Sequence, residues 1–211
     1  RSASGVVIDQ VINLSRVHER VFVALIFLII AILRIFILTR VPLPFVDEAW
    51  FASHAVGLLT TGRPFGPLDA GVFEEYDGHW TYFSWLGATI LAIPISIFGL
   101  SIFSVRIPSL IFGLILLLSC YVIGRRLGDQ RGGFLAVALV GFSPAFNYSA
   151  NLARPDIIIS AVGFGAIALV LADQTARYPV RSIIAGLIIG FAFEIHPNAV
   201  IYVFSILAIL L

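Results

Sequence analysis

The sequence predicts an all-α, polytopic membrane protein, and three observations carry that reading. Of its 211 residues 60% are hydrophobic and only 12% charged, with a mean hydropathy of +1.04. Soluble domains are nearer half apolar and a quarter charged. Apolar runs of about 20 residues recur, the length at which a helix rising ~1.5 Å per residue crosses ~30 Å of hydrocarbon. All 13 basic residues are Arg, and most stand between those runs. The composition excludes disorder, and a net charge of +1 leaves no basic surface for nucleic acid. There is no Met, and the last residues lie inside an apolar run, so a longer parent protein is expected. The single Cys120, in an apolar stretch, excludes an intramolecular disulfide and a multi-Cys metal site.

Taken in chain order, residues 1–20 carry Val6, Val7, Val11, Ile12 and Leu14 near helical spacing, which predicts an interfacial helix. The membrane module then covers 21–211. Its first span is 21–39, interrupted only by Arg34 and followed by no small-residue cleavage site. Further apolar stretches are 82–100, 107–124, 133–150, 157–172 and 183–211, the last broken at Glu194-Ile195-His196-Pro197. Arg16 and Arg20, the loop of Arg125, Arg126 and Arg131, and the pair Arg177 and Arg181 fall in the cytoplasm by the positive-inside rule. The acidic segment 40–81 falls outside. If 82–100 crossed the membrane, the later Arg loops would flip outward, and Pro94 would interrupt its hydrogen-bond ladder. The expectation is a juxtamembrane or re-entrant helix there, within an outer region 40–106. Asp47, Asp156 and the Glu194–His196 turn then share one side, facing outward or into a lumen, in a plasma, inner or ER membrane.

The candidate chemistry lies at the ends of these runs. Asp47-Glu48 follows Pro42-Leu43-Pro44-Phe45-Val46, where the prolines end one helix and the acids cap the next. Its alternative role is a general base, its pKa raised by partial burial. Arg154-Pro155-Asp156 opens another helix with Pro155 in its first turn. It reads as an interfacial ion pair or as a fork on an anionic head group, with Asp156 orienting it or holding a cation. Arg34 either snorkels or meets a partner inside the membrane. Glu74, Glu75, Asp77 and His79 form a solvated acidic turn or a hard-cation site, although their spacing matches no recognised metal loop. A divalent metal ion is thus the one cofactor left open. His196, beside Glu194, is tolerated in an apolar run only if buried in protein or lining a wet cavity.

Eight pieces then stand in a telling order: Arg34; Asp47-Glu48; Trp85 through Phe98-Gly99; Arg106-Ile107-Pro108-Ser109; Gly124-Arg125-Arg126; Ser143-Pro144; Ala153-Arg154-Pro155-Asp156; and Gly186–Gly190 before Glu194. Across roughly residues 30 to 205 the set resembles the GT-C membrane glycosyltransferases of glycosyltransferase family 39, the protein O-mannosyltransferases and the lipid A aminoarabinose transferase. Two positions depart: His79-Trp80-Thr81 stands where many relatives carry Lys-Pro-Pro, and His196 where many carry Lys. The resemblance implies a GT-C-type helical module with outer juxtamembrane helices. It also implies inverting transfer of a sugar from a polyprenyl-phosphate donor to an acceptor hydroxyl on the extracytoplasmic side. Asp47, Glu48 and Asp156 would be catalytic, and Arg34, Arg106, Arg154, His79, His196 and Glu194 would bind substrate. Its partners would be that donor and the bilayer, with an acceptor (protein, lipid or glycan) and a larger complex left unassigned. No sugar nucleotide is expected, because no phosphate-cradling Gly loop is present. The alternatives are a transporter, in which breaks such as Glu194–Pro197 mark substrate sites, and a non-catalytic membrane subunit of the same fold.

Overall fold

The computed structural model describes residues 3–172 and 178–210. Arg177, used above to orient the chain, lies outside the described residues, as do the side chains of 3–16, 18 and 20, including Val6 to Leu14, Arg16 and Arg20. Eight α-helices and no strand are present among the described residues. The chain forms two units, 1–37 and 38–211. The first is one unbroken helix, α1 (Ala3–Ile37), so the expected boundary at residue 20 is not marked by a break.

The second unit begins with a Pro-rich turn, whose two prolines supply no amide donor to a continuing helix. α2 (Val46–Thr61) follows, with Phe45 at its N-cap, and ends at Gly62 in the left-handed region (φ 76°). The next loop lies flat along α2. A Cβ on Gly57 would stand 2.2 Å from the Phe65 carbonyl oxygen, and one on Gly66 2.0 Å from that of Ser53. The Leu68 N–H donates to Ser53 Oγ at 3.0 Å, which fixes Asp69 against the helix.

α3 (Trp85–Phe98) starts at Ser84, whose hydroxyl oxygen accepts the Gly87 N–H at 2.7 Å. Its 14 residues reach about 21 Å, short of a bilayer core. Pro94 does not stop it: the helix runs on to Phe98 with Pro94 buried. A turn at Gly99 then leads to Ser101, which caps α4 (Ile102–Gly141) in a reciprocal pair of bonds with Ser104.

α4 contains a reversal. Gly128 (φ −147°, ψ 34°) and Asp129 (φ 61°, ψ −158°) are not helical, and the arms on either side run antiparallel. They touch backbone to backbone: a Cβ on Gly132 would sit 2.5 Å from the Gly124 carbonyl oxygen, and one on Gly133 2.8 Å from the Tyr121 ring. The expected loop at 125–131 is therefore the tip of a tight helical hairpin. The helix expected over 133–150 is instead divided, because Ser143 accepts the Phe146 N–H at 3.2 Å and Pro144 opens a new helix, α5 (Pro144–Ser149).

α6 (Pro155–Leu171) packs against α4, α7 (Tyr178–Ile195) and α8 (Val200–Leu210). Of the expected break at Glu194–Pro197, Glu194 and Ile195 complete α7, and the chain breaks at His196 before a 3-10 turn, Pro197–Ala199. One core joins Ala52, Ala55, Leu91, Ile95 and Val105 of α2, α3 and α4, and the other joins Ala166, Val170, Ala185, Ile189 and Ile206 of α6, α7 and α8. Among the described residues α4 alone is long and apolar enough to cross a membrane; 21–37, 85–98, 155–171 and 197–209 are apolar but shorter.

The hairpin contact has a measurable consequence. A side chain at Gly132 meets backbone, which cannot rotate away, so Gly132→Val should destabilise the protein by about 1–3 kcal/mol. A lowered thermal unfolding midpoint in detergent checks this, with Gly186→Val, in open space on α7, as the control that stays near wild type.

Candidate active site

The site is built around a buried ion pair. Arg106, in the first turns of α4, forks onto Glu48 in the first turn of α2: Nε donates to Oε1 and Nη2 to Oε2, both at 2.7 Å. Its Nη1 donates to the Leu38 carbonyl at 2.7 Å. Glu48 also accepts the Ala153 N–H at 2.9 Å and the Phe45 N–H at 3.1 Å. Arg106 is fully buried and Glu48 is 3% exposed. Burial disfavours the Glu48 charge, but the Arg106 fork and the two backbone donors outweigh it and hold the pKa below the usual carboxylate value. Two expectations change. Glu48 is not a carboxylate raised toward a base, and Arg106 faces Glu48 rather than a head group.

The Ala153 contact brings the next residue, Arg154, beside the residue before Glu48. Arg154 bridges two acids, its Nη1 lying 2.9 Å from Asp47 Oδ2 and its Nε 2.8 Å from Asp156 Oδ2. All three are partly exposed, with side-chain values of 34% for Arg154, 33% for Asp47 and 41% for Asp156. Both acids stand in first turns, of α2 and α6, where the helix dipole favours negative charge. Arg154 also lies on the wall of a cavity of about 200 Å³, together with Trp50, His54, Tyr82, Ser84 and His196. Asp47 and Asp156 thus meet on Arg154, which shares the cavity wall with His196.

The other candidates divide. Glu194 accepts the Ser84 hydroxyl at 3.1 Å and the Trp85 and Leu86 N–H groups at 2.7 and 2.8 Å. It caps the N-terminus of α3, which accounts for the acid in the apolar run without a ligand. His196 lines the cavity and accepts the Asn198 N–H at 3.2 Å through Nδ1. His79 is exposed on the loop between α2 and α3 and does not line this cavity. Arg34 sits in the last turn of α1, in the first unit. In the acidic loop Glu74 accepts the Gly71 N–H, Asp77 pairs with Arg63 at 2.7 Å, and Glu75 bonds Tyr76, raising the tyrosine pKa. Among the described residues no three His, Cys, Asp or Glu groups come together to hold a metal ion. Glu74 and Glu75 stand in a 3-10 turn, Glu74–Tyr76.

Three residues went unnoticed as a site: Trp50, His54 and Asp69. Asp69 is fully buried and accepts the Trp50 Nε1–H at 2.7 Å, the Gly66 N–H at 2.7 Å and a longer contact from His54 Nε2 at 3.3 Å. Burial lowers the His54 pKa, and Asp69 offsets part of that. For Trp50 and His54 the signal was present in the spacing, since 47, 50, 51 and 54 recur on one face of a helix.

Compared with known families, residues 84–211, more than half of the chain, match the model of a family described as dolichyl-phosphate-mannose-protein mannosyltransferase. The match includes Arg106, Arg154, Asp156, Glu194 and His196 and begins after Asp47 and Glu48. No curated protein and no solved structure matches the chain.

The buried pair predicts a distinctive mutational pattern. Glu48→Gln leaves the Arg106 charge without its counter-ion and should lower stability by about 3–5 kcal/mol, while Glu48→Leu with Arg106→Met recovers much of the loss. Because the folded pKa of Glu48 is depressed, its contribution is present above the unfolded value near 4.5 and fades as pH falls through the folded value. Thermal unfolding of wild type below about pH 4.5 should therefore fall more steeply than that of the double variant.

Proposed function

The chain belongs to the dolichyl-phosphate-mannose-protein mannosyltransferase family, and from that membership we propose that it transfers mannose, with inversion, from a polyprenyl-phosphate donor to an acceptor hydroxyl. The family supports a GT-C-type glycosyltransferase in general, and it implies a lipid environment and a polyprenyl-phosphate-linked donor. The observation that supports the finer reading is the Asp47–Arg154–Asp156 cluster beside the aromatic cavity. Asp47 takes the proton of the acceptor hydroxyl as that oxygen attacks the anomeric carbon. The bond from that carbon to the phosphate oxygen breaks, and the lipid phosphate leaves with the electron pair. A charged leaving group needs a nearby cation more than an acid. Arg154 fills that role, oriented by Asp156 and suited to phosphate by its planar fork. His196 is a second polar group within the same cavity. The transporter alternative rested on the Glu194–Pro197 break, which the α3 cap now explains.

The same reading includes a multi-pass topology in which 40–106 is extracytoplasmic, α3 does not cross, and residues 1–20 lie at the interface. Three features support it: the shortness of α3, the Arg-rich tip of the α4 hairpin, and outward stripes such as Ile111, Ile115 and Leu118 on α4 or Ile183, Leu187 and Phe191 on α7. Single cysteines introduced at Glu75 or Leu127 in a Cys120→Ser background test it. An impermeant thiol reagent added outside should label position 75 and spare position 127, and the opposite pattern overturns the topology.

Asp47 carries the mechanistic test. Asp47→Asn removes the base and leaves the Arg106–Glu48 pair intact, so the variant should fold and lose at least ~100-fold in turnover. The measurement is mannose transfer from radiolabelled polyprenyl-phosphate mannose by full-length protein in liposomes. Near-normal transfer would make Asp47 a structural partner of Arg154 only.

A further inference from the structure

We infer that His54 is a specificity-determining residue that selects the donor sugar, accepting through Nδ1 a hydrogen bond from one hydroxyl of a hexose ring in the cavity; this rests on the glycosyl-transfer reading above. The cavity supplies the setting. At about 200 Å³ it is smaller than the roughly 300–1,000 Å³ of sites for drug-sized ligands, which suits a single sugar ring. Trp50, Phe51 and Tyr82 line it and offer apolar ring surface to the C–H face of a pyranose. Its polar wall holds Thr81, Ser84 and Arg154.

His54 is held in a way that prepares one ring nitrogen for a ligand. The residue is 3% exposed and boxed by aromatic rings, with Trp50 at 4.7 Å, Phe83 at 5.0 Å and Phe51 at 6.1 Å between centroids. Asp69 takes Nε2, while its carboxylate also accepts from Trp50 and Gly66. The Nε2–H tautomer follows, because a carboxylate with these neighbours accepts there rather than donates. The lone pair is then on Nδ1, for which no partner is found among the described residues. Among the described residues no sealed side-chain nitrogen or oxygen lacks a partner. Nδ1 is therefore not sealed, and the open space that His54 lines is this cavity. Burial, by lowering the pKa, keeps the ring neutral and this nitrogen an acceptor at neutral pH. A sugar hydroxyl is the donor that the neighbouring aromatic wall calls for. An epimer or deoxy sugar without that hydroxyl would leave Nδ1 buried and unpaired, which is how a site built for hydrogen bonding rejects an analogue.

The test uses full-length protein in liposomes with polyprenyl-phosphate mannose and its 2-, 3-, 4- and 6-deoxy analogues. Wild type should use one deoxy donor at least ~10-fold less well than the parent in kcat/KM. His54→Phe, which keeps the aromatic box, should lose a similar factor on the parent and almost nothing on that one analogue. The other deoxy donors should fall in parallel with the parent. A common factor on all donors, or no change, overturns the role of His54 while leaving glycosyl transfer intact. If His54→Phe does not fold, His54→Gln decides: a narrowed ratio at that single hydroxyl supports the inference, and unchanged ratios overturn it. Absence of transfer from every donor by wild type would instead overturn the reading on which the inference rests.

Discussion

The bidentate contact between Arg106 and Glu48 is the constraint from which the rest of the site follows. A guanidinium and a carboxylate removed from water are tolerated only when nearly every donor and acceptor is matched. Here the matching draws on the Leu38 carbonyl and on the Phe45 and Ala153 amides, so four chain segments must meet at one point. The pair is best understood as a registration device rather than a source of large net stability. Once Ala153 is held, Arg154 has little choice but to face Asp47. The geometry of the Asp47–Arg154–Asp156 cluster is thus inherited from the buried pair beside it.

Much of the helical outline was readable in the residues, because its signals are local. Prolines at 42 and 44 follow the end of one helix, and Pro155 sits where a first turn accepts it. The convergence of Asp47 with Asp156 was also accessible, since Arg distribution and helix lengths placed both on one side. What could not be read was the division of labour between Asp47 and Glu48. Neighbouring helical residues differ by about 100° in direction, so one acid follows Ala52 and Ala55 into the core while the other follows Trp50 toward the cavity. Only the partners decide which.

Asp69 shows a second limit. In the sequence it is one more acid in an acidic loop, and its burial depends on two glycines that let that loop lie on α2. The same holds for Glu194, which reads as a polar anomaly until its partners, 108 to 110 residues earlier, are known. In both cases the decisive interaction is tertiary, and composition and spacing carry no trace of it.

The Glu194 cap also bears on the order in which the protein is made. A helix normally takes its N-terminal cap from its own first residues, as α3 does in part from Ser84. The carboxylate that completes this cap is synthesised 109 residues after Trp85. At about 5–20 residues per second, the ribosome leaves α3 without it for roughly 5–20 s. The cavity wall formed by 81–88 and 195–196 is therefore unfinished during nearly the whole of that interval. The α4 hairpin and α6 are synthesised within that interval, so Arg106 and Arg154 are already on the chain before that wall is complete.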